Sequence, residues 1–240
     1  MRYSWAGRTD PGRIRDHNED AVFPEGDGQA SDRFVVAVAD GMGGHVGGEI
    51  ASRAALDAAI DAEGDPEARV LAANGAVLDR VAEQPALAGM GTTLTMADIA
   101  ESGRVELGHV GDSRAYLLRN GELRQITRDH SVVAELVESG DLRPEDVPFH
   151  PYRSVITRAL GLERIVAVDT HDLRLAKDDV LLLCSDGLNT MISNDEIQTI
   201  LEQAEDPAAA ADALVDAANE AGGHDNITVI VVHTHADDAD

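Results

Sequence analysis

Most apolar residues of the chain fall into short runs, and only a few stretches show helical spacing. Residues 2–7 and 33–39 are predicted strands. The second is apolar at nearly every position from Phe34 to Ala39, which is typical of a strand buried on both faces. Alanines between positions 51 and 62 recur at helical spacing, which predicts a helix over about 47–62 with a flat apolar stripe.

The middle of the chain changes to a β pattern. Segments rich in β-forming residues are separated by glycines, and Asn120-Gly121 between two of them indicates a type I′ hairpin, so this part is predicted to be antiparallel. Further strands are predicted near the end of the chain. The predicted strands of both groups cover 91–98, 104–110, 113–119, 122–126, 165–173, 179–184 and 227–232.

Three further helices are marked by their first residues. Asp65-Pro66 and Asp206-Pro207 each place a capping aspartate before proline, and Ser193 with Glu196 forms a capping box. Helices therefore come in two groups around many antiparallel strands, which favours an α+β fold with helices outside a large β core. The 240 residues are predicted to form one domain, with a polar, proline-containing insertion at about 130–160 and a frayed acidic tail at 236–240.

Composition narrows the function classes. A hydrophobic fraction of 43% supports a packed core, and 19 basic against 45 acidic residues give a formal net charge of −26. Such a chain repels phosphate backbones and anionic lipids, so we expect no nucleic-acid or membrane partner. The single cysteine, Cys184, excludes an intrachain disulfide and a cysteine-based zinc cluster. We expect a cytoplasmic protein, since apolar runs are short and no signal-peptide core is visible.

Five aspartates stand at the edges of apolar runs. Asp40, Asp112 and Asp186 follow such runs, Asp225 precedes the last one, and Asp20 precedes Ala21-Val22-Phe23. A carboxylate there is partly desolvated, and basic residues nearby are too few to pair with all of them. Any one of them alone could be a turn residue. Together, with glycine-exposed carbonyls and no cysteine, they predict a hard-oxygen site for Mg²⁺ or Mn²⁺.

The glycine-rich stretch after Asp40 raises a second interpretation. Strand, glycine-rich loop and helix is also the order found in nucleotide-binding folds. The Gly-x-Gly-x-x-Gly pattern fails because Val46 follows Gly43 by three residues, and no Gly-Lys-Ser/Thr occurs. Asp40 would also face the pyrophosphate without a compensating cation. Nucleotide binding is therefore the weaker hypothesis.

The chain resembles the metal-dependent type 2C serine/threonine protein phosphatases, in particular small bacterial members. The resemblance covers nearly all of residues 4–233, and its motifs occur in the family's order. The matching motifs are Asp10-Pro11-Gly12-Arg13-Ile14-Arg15-Asp16-His17-Asn18-Glu19-Asp20, Asp40-Gly41-Met42-Gly43-Gly44-His45, Gly91-Thr92-Thr93, Val110-Gly111-Asp112-Ser113-Arg114, Ser185-Asp186-Gly187-Leu188 and Asp225-Asn226-Ile227-Thr228.

The resemblance implies a four-layer α-β-β-α sandwich with two central antiparallel sheets and metals at one end. It implies that Asp40 bridges two ions, that Gly41 offers its carbonyl, and that Asp186 and Asp225 bind the second ion. The remaining implied roles are metal binding by Glu19 and Asp20, directly or through water, a third and weaker ion at Asp112, phosphate binding by Arg15, and an active-site flap at about 130–160.

These roles agree with general chemistry. Water between two divalent ions loses a proton near neutral pH, and the bridging hydroxide can attack phosphorus directly. Cys184 precedes no Cys-x5-Arg loop and is interpreted as a core thiol. The alkoxide leaving group needs a proton donor. Met42 occupies the position where many eukaryotic relatives have histidine, so His45 or a metal-bound water is the candidate general acid.

The sequence therefore predicts a Mn²⁺- or Mg²⁺-dependent phosphatase for phosphoserine and phosphothreonine, with two tight ions and a third weaker one. Its expected partners are phosphorylated proteins, including substrates of a serine/threonine kinase and that kinase itself. The alternative is a catalytically weak relative that regulates by binding phosphoproteins, which loss of Asp40, Asp186 or Asp225 would favour; all three are present. A phosphatase for small phosphoesters is a third possibility.

Overall fold

Two antiparallel β-sheets form the centre of the computed structural model, which describes residues 1–44 and 46–235. The first sheet has the strand order β3-β1-β12-β11-β8-β9, and the second has the order β10-β7-β6-β4-β2 with β5 paired to β4. The strands are β1 Arg2–Asp10, β2 Asp20–Phe23, β3 Gly26–Ala30, β4 Phe34–Met42, β5 Gly91–Thr92, β6 Leu94–Ile99, β7 Arg104–Val110, β8 Arg114–Arg119, β9 Glu122–Gln125, β10 Asp169–Arg174, β11 Val180–Cys184 and β12 Ile227–His235.

Helices cover the outer face of each sheet. Helices α1 and α2 pack on the second sheet, while α4, α5 and α6 pack on the first, and α3 lies in the insertion. The helix bounds are α1 Val46–Asp61, α2 Pro66–Glu83, α3 Val132–Ser139, α4 Asp186–Asn189, α5 Asn194–Gln203 and α6 Pro207–Glu220, with short 3₁₀ turns at Pro85–Leu87 and Pro144–Phe149.

The strands that cross the centre bury both faces. In β4, Val36 and Val38 pack between the sheets, whereas Ala37 and Ala39 pack against α1 and α2. In β12, Ile230 faces the other sheet and Val231 faces α6. Successive side chains of a strand point to opposite faces, and both faces of these strands are covered, so nearly every position is apolar. The predicted four-layer α-β-β-α sandwich is confirmed.

Several element boundaries differ from those predicted. The predicted strand 91–98 is two strands, because it is interrupted at Thr93, and β10 begins at Asp169 instead of residue 165. Strands β2 and β3 and the short helix α4 were not predicted as separate elements. The type I′ hairpin is confirmed, since Asn120 and Gly121 have positive φ angles of 53° and 75° and Arg119 pairs with Glu122.

Two predictions fall outside the described residues: the position of His45 and the frayed tail at 236–240. Within residues 1–44 and 46–235, no helix has both the length and the apolar character needed to cross a membrane.

Candidate metal centre

A cavity of about 580 Å³ opens at one end of the two sheets. Seven predicted site residues line it: the acidic residues Glu19, Asp40, Asp112, Asp186 and Asp225, together with Arg15 and Gly41. The acidic residues lie together because strand ends from both sheets meet at the cavity. The second sheet contributes the start of β2 and the ends of β4 and β7, and the first sheet contributes the end of β11 and the start of β12. Strand direction in an antiparallel sheet thus converts dispersed sequence positions into one acidic cluster.

Asp20 and Asp40 are opposite each other in the pairing of β2 with β4, so their side chains lie on the same face. Asp20 does not reach the cavity wall; it is buried, and its Oδ2 accepts a 2.7 Å hydrogen bond from the Ser185 hydroxyl. Its Oδ1 is buried and receives no hydrogen bond from any described residue. Two like charges opposite each other destabilise a sheet unless something positive lies between them.

Four aspartates at this site, Asp20, Asp40, Asp112 and Asp186, have raised pKa values, mainly because of burial. Burial, reinforced by the charges of Asp186 and Asp225, raises the pKa of Asp20 to about 7. Burial and the neighbouring aspartates hold the pKa of Asp40 well above its ordinary value. Burial and Asp225 raise the pKa of Asp186 to about 6, and burial and Asp186 raise that of Asp112 to about 7. The site therefore favours an added positive charge.

The donor set fits hard divalent cations. The cavity offers carboxylate oxygens, and Asp20 Oδ1 has an acceptor position that the protein does not use. Among the described residues, no three histidine, cysteine, aspartate or glutamate side chains are grouped so that they could hold an ion by themselves. Backbone carbonyls and water would have to complete each coordination shell, which is the usual situation for Mg²⁺.

Gly41 stands where β4 passes the start of α1. A Cβ atom there would lie 2.1 Å from the Gly48 carbonyl oxygen and 2.6 Å from that of Glu19, so only glycine allows this approach. The Gly41 amide donates to the Glu19 carbonyl, which also accepts a 2.6 Å hydrogen bond from the Ser52 hydroxyl. This hydrogen bond holds Gly41, the predicted carbonyl ligand, next to Glu19 and Asp20.

Arg15 lies on the loop between β1 and β2, with its side chain half-exposed at the cavity mouth. Its Nη2 donates to Asp225 Oδ2 at 2.6 Å. A guanidinium carries five N–H donors, so this ion pair is compatible with binding of phosphate oxygens by the remaining donors. Ser154 and Ile156, from the return of the insertion, also line the cavity.

Sequence reasoning missed the structural role of Asn226. Its Oδ1 accepts from the Glu19 amide at 2.8 Å, and its Nδ2 donates to the carbonyls of Pro11 at 3.0 Å and His17 at 2.9 Å. One buried amide therefore fixes the loop that carries Arg15 beside the segment that carries Asp225. The available signal was its place directly after Asp225 at the head of an apolar strand.

Comparison with known proteins agrees with this geometry. The family model described as "Protein phosphatase 2C" matches residues 14–220. The chain belongs to the protein phosphatase 2C family. It is therefore an enzyme of the serine/threonine protein phosphatase class.

The relatives support the same assignment over almost the whole chain. "Serine/threonine phosphatase stp" of Listeria welshimeri is 42% identical over 240 residues, which cover 94% of this phosphatase and 93% of that protein. The structure of the Mycobacterium tuberculosis serine/threonine phosphatase PstP/Ppp aligns with a TM-score of 0.89 at 40% identity, covering 98% of this chain and all of the other. A PstP catalytic domain in complex with two manganese ions aligns with a TM-score of 0.86 at 38% identity over 98% of this chain and 100% of that one.

Proposed function

We propose that this phosphatase removes phosphate from phosphoserine and phosphothreonine in proteins with a pair of Mn²⁺ or Mg²⁺ ions held at the acidic cavity. The observation that carries the proposal is the convergence of carboxylates from both sheets around one cavity, together with the unused buried acceptor on Asp20. Bound ions would supply an activated water that attacks phosphorus at neutral pH.

The chain's own residues have separate roles in this proposal. Asp40, the Gly41 carbonyl, Asp186 and Asp225 would hold the ion pair, with Asp40 common to both ions. Glu19 and Asp20 would bind directly or through water. The charge of Asp186 contributes to the raised pKa of Asp40, and the charge of Asp225 contributes to that of Asp186, which supports one joint site. Asp112, which also lines the cavity, is proposed as the ligand of a third, weaker ion.

Substrate orientation and proton transfer fall to other groups. Arg15 at the cavity mouth would hold two phosphate oxygens and so align phosphorus with the attacking water. His45 would donate a proton to the departing serine or threonine oxygen, with a metal-bound water as the other candidate donor. The proposal for His45 rests on its place in the sequence, three residues after Met42 and between Gly43-Gly44 and Gly47-Gly48.

Substrates, location and domain organisation are proposed on the same basis. Family membership supports phosphoprotein substrates, and we propose that they include proteins modified by a serine/threonine kinase and that kinase itself. A cytoplasmic location remains a prediction from the sequence. We also propose that residues 1–240 form one catalytic domain whose flap at about 130–160 contributes Ser154 to the cavity wall. The complete carboxylate set argues against the catalytically weak regulator.

The test is phosphate release from phosphothreonine and phosphoserine peptides with Mn²⁺, with Mg²⁺ and with EDTA. We expect release with either ion, no release with EDTA, and loss of release in Asp40→Asn. Asp216→Asn, a matched change on the exposed face of α6, should be silent. Release that persists in EDTA, or an Asp40→Asn enzyme with normal turnover, would contradict the proposal.

A further inference from the structure

A buried polar network lies beside the cavity and is not used by the proposed chemistry. Its centre is His130, which is 5% exposed and stands at the first residue of the flap. The ring of His109, which is fully buried, packs on it with ring centroids 4.8 Å apart. Two buried histidines at the base of an insertion need an explanation, because a buried imidazole is stable only when its nitrogens have partners.

The two ends of the flap meet at His130. The His130 carbonyl accepts from the Thr157 amide at 2.8 Å, and the Val132 amide donates to the Val155 carbonyl at 2.9 Å. Ser131 and Ile156 form a bridge between these contacts. The outgoing and returning chains of the flap are therefore joined as a short antiparallel neck, with the His130 ring on one side of it.

His130 also binds the turn that carries Asp112, at two points. Its backbone amide donates to the Gly111 carbonyl at 2.8 Å, and its Nδ1 accepts from the Gly111 amide at 3.0 Å. The Gly111 carbonyl belongs to the peptide group that leads into Asp112, so this contact fixes the plane from which the Asp112 side chain projects. Gly111 has φ of +116°, and a Cβ there would lie 2.5 Å from the Thr93 side chain, so no other residue fits this turn.

The other ring nitrogen faces the return of the flap. Because Nδ1 accepts a hydrogen bond, Nε2 carries the proton, and it lies 3.3 Å from Asp169 Oδ2. Asp169 Oδ1 in turn accepts from Arg158 Nη1 at 2.7 Å. Arg158 Nη1 also lies 2.9 Å from His130 Nε2, but both nitrogens carry protons, so the Asp169 carboxylate is the acceptor that joins them. Burial lowers the pKa of His130, which keeps the ring neutral and Nδ1 available as an acceptor.

We propose that His130 is a positioning residue that locks the Gly111–Asp112 turn to both ends of the flap, so that flap movement and the position of Asp112 are coupled. The inference rests on the proposed function only in that Asp112 takes part in phosphate hydrolysis. The coupling itself is a property of the protein without metal or substrate. A flap that opens must either break the Gly111 contacts or carry the Asp112 turn with it.

Hydrogen exchange of backbone amides in the metal-free protein tests the coupling directly. His130→Phe keeps a ring of similar size but removes the acceptor for the Gly111 amide. We expect exchange of residues 111–113 and of α3 in the flap to rise together, on the order of tenfold, because a buried N–H is left without its acceptor. His130→Asn places an oxygen near the position of Nδ1 and should restore most of the protection at 111–113.

Two further variants separate a local role from general damage. His233→Phe changes a half-buried histidine of the other sheet whose Nε2 has no hydrogen-bond partner among the described residues, and it should leave both segments unchanged. If His130→Phe fails to fold, Asp169→Asn weakens the Nε2 side of the same network and should raise exchange in the same two segments.

The outcomes distinguish this inference from the proposed function. Unchanged exchange at 111–113, an asparagine variant no better than phenylalanine, or a rise at 111–113 without a rise in α3 would each overturn the coupling. Phosphopeptide turnover with Mn²⁺ is then measured on the same variants, where kcat should fall in His130→Phe and recover in His130→Asn. A wild-type enzyme that releases no phosphate would refute the proposed function while leaving the exchange result valid.

Discussion

Without divalent ions, the free energy of unfolding of this phosphatase should fall as pH rises. Aspartates usually have the opposite effect, because folding more often lowers their pKa values. In the unfolded chain the cluster carboxyls ionise near their ordinary pKa of 3.8, whereas in the folded protein burial raises the pKa values of Asp20 and Asp112 to about 7 and that of Asp186 to about 6. Between these limits the folded state binds more protons than the unfolded state. The free energy of unfolding therefore falls with rising pH over about pH 4–7.

The size of the effect can be worked from Asp186. Its pKa rises from 3.8 to about 6, and roughly two pH units at 1.36 kcal/mol each give about 3 kcal/mol. One face of Asp186 opens to the cavity, so water reduces this value, and the loss belongs to the interacting set of carboxylates, which titrate together. A loss of a few kcal/mol is a large share of the stability of an ordinary domain.

The assay is urea unfolding in EDTA between pH 5 and pH 8, followed by the fluorescence of Trp5, the single tryptophan of the chain. Trp5 is half-buried on β1 against Gly28 of β3, so it reports on the first sheet. Mn²⁺ should reverse the trend, since metal binding requires deprotonated ligands and stabilises the folded state by about 2.7 kcal/mol at a hundred times Kd. Asp186→Asn should flatten the slope in EDTA. Stability in EDTA that is constant or rises with pH would refute the reasoning.

Three substitutions test the remaining assignments. Asp225→Asn should lower kcat by several orders of magnitude with the fold intact, as loss of an ion requires, and calorimetry with Mn²⁺ should show a weakened tight site. Arg15→Ala should raise KM for small and large substrates alike while Mn²⁺ dependence stays the same; a changed Mn²⁺ requirement would contradict its phosphate role. Asp112→Ala should spare the tight ion pair yet reduce turnover of phosphopeptides more than of an activated aryl phosphate, which needs less proton donation. Equal losses on both substrates would favour His45 as the proton donor.

The fold was predictable where the burial of an element produces a recognisable spacing of apolar residues in the sequence. Strand β4 was predicted because it is covered on both faces and is therefore apolar throughout, and the helices begin where capping residues stand. The segment before β10 was predicted wrongly, because Val166 and Val168 pack against the helical side of the second sheet without strand pairing, and Ile165 is exposed. Apolar spacing reports burial, and it cannot distinguish a strand from an irregular segment that packs equally well.

For the candidate site, the sequence supplied the residue types and the structure supplied their neighbours. The aspartates could be identified because each interrupts or bounds an apolar run. Three features of the site depend on contacts between distant segments. They are the facing positions of Asp20 and Asp40, the 2.6 Å ion pair of Arg15 with Asp225, and the hydrogen bonds of Asn226. No local pattern encodes such contacts, since they follow from sheet register and loop packing.

The cluster residues are far apart along the chain, and this separation also affects how fast the native protein unfolds and is degraded. The hydrogen bond from Ser185 to Asp20 joins residues 165 positions apart, so the acidic cavity exists only when both sheets have assembled. Contacts of this range close slowly and are expected late in folding. Metal ions should then leave the folding rate unchanged and slow unfolding, because they stabilise interactions that are absent from the transition state. The supply of Mn²⁺ would thereby set the lifetime of the native enzyme against proteolysis at high protease levels, where cleavage follows the unfolding rate.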